Sequence, residues 1–130
     1  MARVLGVGGV FFHCDDSEGL MAWYRDVLGM KINDYGGADF LHADSASAFP
    51  VGARTIFSGF KSDTDYFAPS TKPFMINLII DDMQAMLKRL AEHGVPLEGE
   101  PQDFEYGHFA WVMDPNGTKI ELWQPIEPKG

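Results

Sequence analysis

Cysteine is almost missing from this chain. Cys14 is the only one in 130 residues, so no disulfide can close within the chain, and a reducing cytoplasm is the expected setting. Long apolar runs are missing too. None approaches the roughly 18 residues that span a bilayer, and Met1 to Gly9 holds no apolar stretch long enough for a signal peptide. No membrane partner is expected. Basic charge is scarce: 10 Lys and Arg stand against 19 Asp and Glu, a formal net charge of −9. A surface of that sign repels nucleic acid and anionic lipid. P-loop, nucleophile-elbow and helical histidine-pair motifs do not occur. Gly6-Val7-Gly8-Gly9 is no dinucleotide fingerprint, because Phe11 stands where the third glycine belongs and a strand follows instead of a helix.

What remains is a globular composition, 45% apolar and 22% charged, at a length that suits one domain with a core of its own. The charge is split evenly. Met1 to Asp65 carries five basic and nine acidic residues, and Tyr66 to Gly130 carries five and ten. The evenness has a cause in the pattern. Val4 to His13 is an apolar, strand-like run that ends in Asp15-Asp16. Asp16 or Ser17 can cap a helix that puts Leu20, Trp23, Tyr24, Val27 and Leu28 on one face and stops at Gly29. Phe74 to Ile80 repeats the strand and ends in Asp81-Asp82. Met83, Met86, Leu87, Leu90 and Ala91 repeat the helix face, and Gly94 repeats the stop. Asp16 to Asp82 is 66 positions and Gly29 to Gly94 is 65, so two strand–helix units share one register.

Shorter β signals follow each helix: 31–35, 39–42 and 54–60 in the first half, and 95–98, 108–113 and 118–124 in the second. The last two are joined by the turn Asp114-Pro115-Asn116-Gly117. These spacings predict an α+β fold of two βαβββ units, 1–60 and 74–130, linked by a crossover at 61–73, all within a single domain. The sheet faces turned away from the helices are expected to line a cup. Alternation along the strands sends Gly9, Phe11 and His13, Met75 and Asn77, and Lys119, Glu121 and Trp123 to that face. An apolar cavity with a few polar groups suits a small-molecule ligand.

The stretches Ala22-Trp23-Tyr24-Arg25-Asp26-Val27-Leu28-Gly29 and Asp114-Pro115-Asn116-Gly117-Thr118-Lys119-Ile120-Glu121-Leu122-Trp123, set in repeated βαβββ units, resemble the vicinal oxygen chelate superfamily. That group includes glyoxalase I, bleomycin resistance proteins and extradiol dioxygenases. Gly8 to Phe12, Asp63 to Phe67, Lys72 to Met75 and Tyr106 to Trp111 are similar to segments of small glyoxalase-like members. The resemblance implies a divalent metal held by a first-strand residue and a last-strand carboxylate from each unit. Here Gly9 and Met75 occupy the first-strand positions, 54–58 offers no carboxylate or imidazole, and only Glu121 matches. Glycine has no ligand atom, and a thioether suits a hard cation poorly. A metal is therefore not the favoured cofactor, and a rebuilt site would have to recruit His13 or His108 beside Glu121.

Two function classes stay open. One is a binding module for a small, partly apolar or aromatic metabolite or drug, as in bleomycin resistance proteins. The other is a glyoxalase-type lyase or isomerase, similar to lactoylglutathione lyase, with Glu121 as its base. A carboxylate in an apolar cup would have its pKa raised towards that use. Phe11, His13, Asn77, His108, Trp111 and Trp123 are the candidate ligand contacts, together with Tyr66 and Phe67, which fit either the pocket or a dimer interface. The resemblance also implies a homodimer.

Overall fold

Asp16 and Asp82 each open a helix through their own side chains. The Asp16 carboxylate accepts the backbone N–H of Gly19 at 2.9 Å, and Asp82 accepts that of Ala85 at 3.0 Å, which satisfies helix N–H groups that would otherwise be orphaned. The computed structural model describes residues 1–127, and its first helix, α1, runs Ser17–Leu28. Gly29, at φ +74°, closes α1 in the left-handed conformation that glycine adopts without strain. A short helix, α2, covers His42–Ala48. Strand β1 is Ile76–Ile79, helix α3 is Met83–Glu92, and strands β2, β3 and β4 are Gln102–Phe104, Gly107–Met113 and Lys119–Pro125.

The chain is an α+β protein with one four-stranded sheet in the order β1-β4-β3-β2. β1 runs parallel to β4, and the other two pairs are antiparallel. The hairpin between β3 and β4 turns on Asp114, whose carboxylate accepts the backbone N–H groups of Asn116 and Thr118. α1 and α3 share one face of this sheet. Leu20, Tyr24 and Val27 of α1 and Met83, Met86 and Leu90 of α3 bury against Ala110, Val112, Ile120 and Leu122. An arginine joins the two helices. Arg89 of α3 donates to the carbonyls of Val27 at 2.8 Å and Asp26 at 2.9 Å, placing a cation on the negative end of α1.

The second βαβββ unit forms within the span expected for it, with one shift: the strand after α3, at the sheet edge, is 102–104 instead of 95–98. Glu98 contributes only a single backbone bond, to the carbonyl of Trp111. The first half differs more. It keeps its helix, but among the described residues none before Ile76 lies in a strand. Local chemistry explains two of the differences. Asn33 accepts the N–H groups of Tyr35 and Gly37 on its side chain and builds a turn where 31–35 was expected to extend. His42-Ala-Asp-Ser-Ala-Ser-Ala has no β-branched residue and three alanines, so it winds into α2, which takes His42 from the end of the strand expected at 39–42. The remaining segments, 4–13 and 54–60, find no ladder to join. Most of their side chains stay open to solvent, Phe11 to 94% and Phe57 to 92%, while Phe12 packs partly buried against the core.

Candidate functional site

Three strands meet where the sheet turns away from its helices. Register sets Asn77 of β1 beside Glu121 of β4, and Glu121 beside Trp111 of β3. One step along, Ile79, Trp123 and Phe109 form a second row. Neighbours in a row lie on the same face of the pleat. This face carries one carboxylate and a set of aromatic rings.

Glu121 is only 9% exposed and is ringed by donors. The Asn77 amide donates to Oε1 at 2.7 Å, the Trp111 indole N–H to Oε2 at 2.8 Å, and the Tyr66 hydroxyl to Oε2 at 2.5 Å. Burial, and after it the Glu121 carboxylate, push the Tyr66 phenol well above the ordinary tyrosine range, so it stays a donor at neutral pH. The expected surround was mostly apolar with a few polar groups, and the fold puts three of those groups on the carboxylate itself. Three hydrogen bonds compensate its loss of water.

The rings beside it make a wall. Trp123 and Phe109 are nearly parallel, 6.1 Å apart at 11°, and Phe109 and Trp111 follow at 6.3 Å and 18°. Phe104 and Tyr106 stack on each other at the far end, each edge-on to Phe109. Trp123 is fixed by its indole N–H, which donates to the Tyr106 carbonyl at 3.0 Å, while Gly107 lies directly beneath the ring. Tyr66 stands perpendicular to Trp111, with Phe60 and Phe67 behind it. Lys119 and Ser70 pin the crossover to the hairpin: the Lys119 ammonium donates to the Tyr66 carbonyl, and the Ser70 hydroxyl to the Gly117 carbonyl.

Glu121, Asn77, Trp111 and Tyr66 are thus in direct contact, with Trp123 along the wall and Phe67 behind Tyr66. The other expected site residues lie elsewhere. His108 shares the opposite face with Ala110 and Val112, pairs in register with Gln124, and bonds Asp103 at 2.6 Å. His13 is exposed, with its carbonyl taken by Asn116, and Phe11 points into solvent. Phe109, absent from the expected set, sits at the centre of the wall. Its spacing of two from Trp111 within one strand carries the signal. Two cavities of about 300 Å³ flank α1, one beside Met21 and Arg25 and one beside Asp16 and Pro115. Neither reaches Glu121.

A family model described as Glyoxalase/Bleomycin resistance protein/Dioxygenase superfamily matches residues 7–122. The chain belongs to this superfamily. TnmS3, an antibiotic binding protein from Streptomyces sp. CB03234, is 26% identical across 87% of this chain and 89% of its own, with a TM-score of 0.50. A virulence protein from Salmonella typhimurium, 13% identical, covers 87% of this chain and 90% of its own at a TM-score of 0.51; it shares the fold alone. A glyoxalase/bleomycin resistance protein from Streptomyces sp. CB03234 is 36% identical, but over 38% of this chain and 45% of its own, at a TM-score of 0.35. The chain thus spans less than half of that relative's length. No curated protein matches the sequence.

Of the four positions that the resemblance assigns to metal ligands, only the one at Glu121 carries a carboxylate, and its surroundings can be tested for fit to a cation. The groups against it are an amide N–H, an indole N–H and a phenol O–H, all aimed as donors at the carboxylate. A divalent cation seeks anionic or lone-pair ligands in number, and this donor set does not fit one. Among the described residues no group of three or more His, Cys, Asp or Glu side chains could hold a metal ion. Among them, too, no helix is long and apolar enough to cross a membrane.

Proposed function

We propose that this protein binds a small planar aromatic compound, a metabolite or drug, on the Trp123–Phe109–Trp111 wall, with Glu121 anchoring its polar end. The observation that carries the proposal is the wall itself: three nearly parallel rings ending at a buried carboxylate already supplied with three donors. The carboxylate accepts one hydrogen bond on Oε1 and two on Oε2, which leaves an acceptor position on Oε1 for a ligand's polar group. The description of TnmS3 as an antibiotic binding protein lends support, since that chain aligns with most of this one.

The protein acts as one domain of two units, 1–60 and 74–130, in the cytoplasm and as a homodimer. Surface area supports the pairing. A folded chain of 14.5 kDa ordinarily leaves about 6,900 Å² accessible, whereas this one leaves 9554 Å². Much of the excess is apolar and lies in the first half, at Val4, Leu5, Phe11, Ile56 and Phe57. A second copy would cover it.

Indole fluorescence tests the binding role directly. Titration with planar aromatic antibiotics is expected to give saturable quenching that weakens at least ten-fold in Trp123→Ala and in Glu121→Gln. Turnover of the glutathione–methylglyoxal hemithioacetal, with or without added nickel or zinc, is expected to be absent. Turnover that disappears in Glu121→Gln would overturn the proposal in favour of a glyoxalase-type lyase.

A further inference from the structure

The three donors on Glu121 differ in origin. Asn77 and Trp111 sit on strands whose register with β4 fixes them beside the carboxylate. Tyr66 comes from the crossover, outside the sheet, and it alone of the three could leave without breaking a ladder. Its ring rests edge-on to Trp111 at 6.4 Å, and 38% of the residue is still exposed. A phenol is therefore already seated at the end of the aromatic wall, with its hydroxyl on Oε2. If it were withdrawn, Oε2 would keep only the indole N–H, and the near side of Trp111 would open.

We propose that Tyr66 is an internal occupant of the ligand site, and that the natural ligand is a phenolic aromatic whose hydroxyl replaces the Tyr66 O–H on Glu121. The inference rests on the binding role above and adds the chemical class. A phenol fits better than an amine for a reason on the same strand. The Lys119 ammonium lies 5.2 Å from the centre of the Tyr66 ring. A neutral ring in that place keeps the cation–π contact, whereas a cationic ligand would lose it and have its attraction to Glu121 offset by the Lys119 ammonium. A phenol also meets a carboxylate through a charge-assisted hydrogen bond, stronger than a neutral one. Tyr66 and the ligand then compete for one acceptor, and the apparent affinity of the site is lowered by the fraction of molecules in which Tyr66 holds it.

The competition gives the test. Three probes of equal ring size, 2-naphthol, 2-methoxynaphthalene and 1-naphthylmethylammonium, are titrated against indole fluorescence in the wild type, Tyr66→Phe, Glu121→Gln and Trp111→Ala. The expected order is 2-naphthol first and the ammonium last. Tyr66→Phe keeps the ring but loses the competing hydroxyl, so it is expected to bind 2-naphthol about ten-fold tighter. Glu121→Gln is expected to erase the preference for 2-naphthol over its methyl ether. Thermal unfolding of each variant confirms that it folds; should Tyr66→Phe fail to, Tyr66→Leu, which removes hydroxyl and ring together, still removes the competitor and is expected to bind 2-naphthol more tightly than the wild type. Equal binding of 2-naphthol and its ether, or weaker binding in Tyr66→Phe, would overturn the phenol assignment. If the ether still binds in that case and loses affinity in Trp111→Ala, the aromatic-binding role survives without it. If no planar aromatic binds at all, both fail.

Discussion

Tyr24 shows how much one side chain can hold. It is buried on α1, and its hydroxyl donates to the Asp114 carboxylate at 2.5 Å, tying the first helix to the hairpin that carries Glu121. Burial first, and then the Asp114 bond and charge, raise the Tyr24 phenol far above the ordinary tyrosine range. Tyr24→Phe leaves Asp114 buried with only its two backbone donors. The cost expected from urea unfolding is about 1–3 kcal/mol. A pH signature follows. The folded phenol keeps its proton where the unfolded one loses it, so this stabilisation is complete below about pH 10 and declines as pH rises past that value. The alkaline decline is expected to be shallower in Tyr24→Phe, and matching slopes in the two proteins would contradict the assignment. At this scale the sequence is only partly informative. Tyr24 reads as a core residue from its helical spacing, but nothing in the spacing reveals a partner 90 positions away.

Among the elements, the second unit was the legible one. Its helix has a capping aspartate and a glycine stop, and its last two strands flank a Pro-Asn-Gly turn, so local signals and tertiary pairing agree. The face assignment of Asn77, Glu121 and Trp123 follows from alternation alone. His108 was singled out because its strand is joined by the hairpin to that of Glu121, but it lies three positions from Trp111, an odd spacing that turns it to the opposite face. The first unit's strands were read from β-rich composition, yet a strand exists only with a ladder partner, and composition cannot supply one. Within β3, Gly107 is an element-level constraint. A methyl group there would collide with the Trp123 indole, so Gly107→Ala is expected to cost about 1–3 kcal/mol. It should also weaken aromatic binding by turning Trp123 out of the wall. Titration and unfolding in parallel separate the two effects.

For the whole molecule, the exposed first half is the dominant fact. We expect a dimer by sedimentation velocity at micromolar concentration. Phe11→Asp, which puts a charge into the most open apolar segment, is expected to shift that equilibrium at least ten-fold towards monomer while α1 and the sheet remain folded. An unchanged dimer would place the contact elsewhere. One joint governs how the first half is attached. Arg89 grips the end of α1 through the carbonyls of Asp26 and Val27, and Tyr24 grips its middle through Asp114. Both grips lie within α1, so they do not depend on the chain from 30 to 60, which is tied back separately where the Val51 and Gly52 N–H groups donate to the Glu127 carboxylate. Insertions or deletions of a few residues there lengthen or shorten a loop at little entropic cost. That stretch can therefore vary in length between relatives while the carboxylate and the aromatic wall keep their spacing.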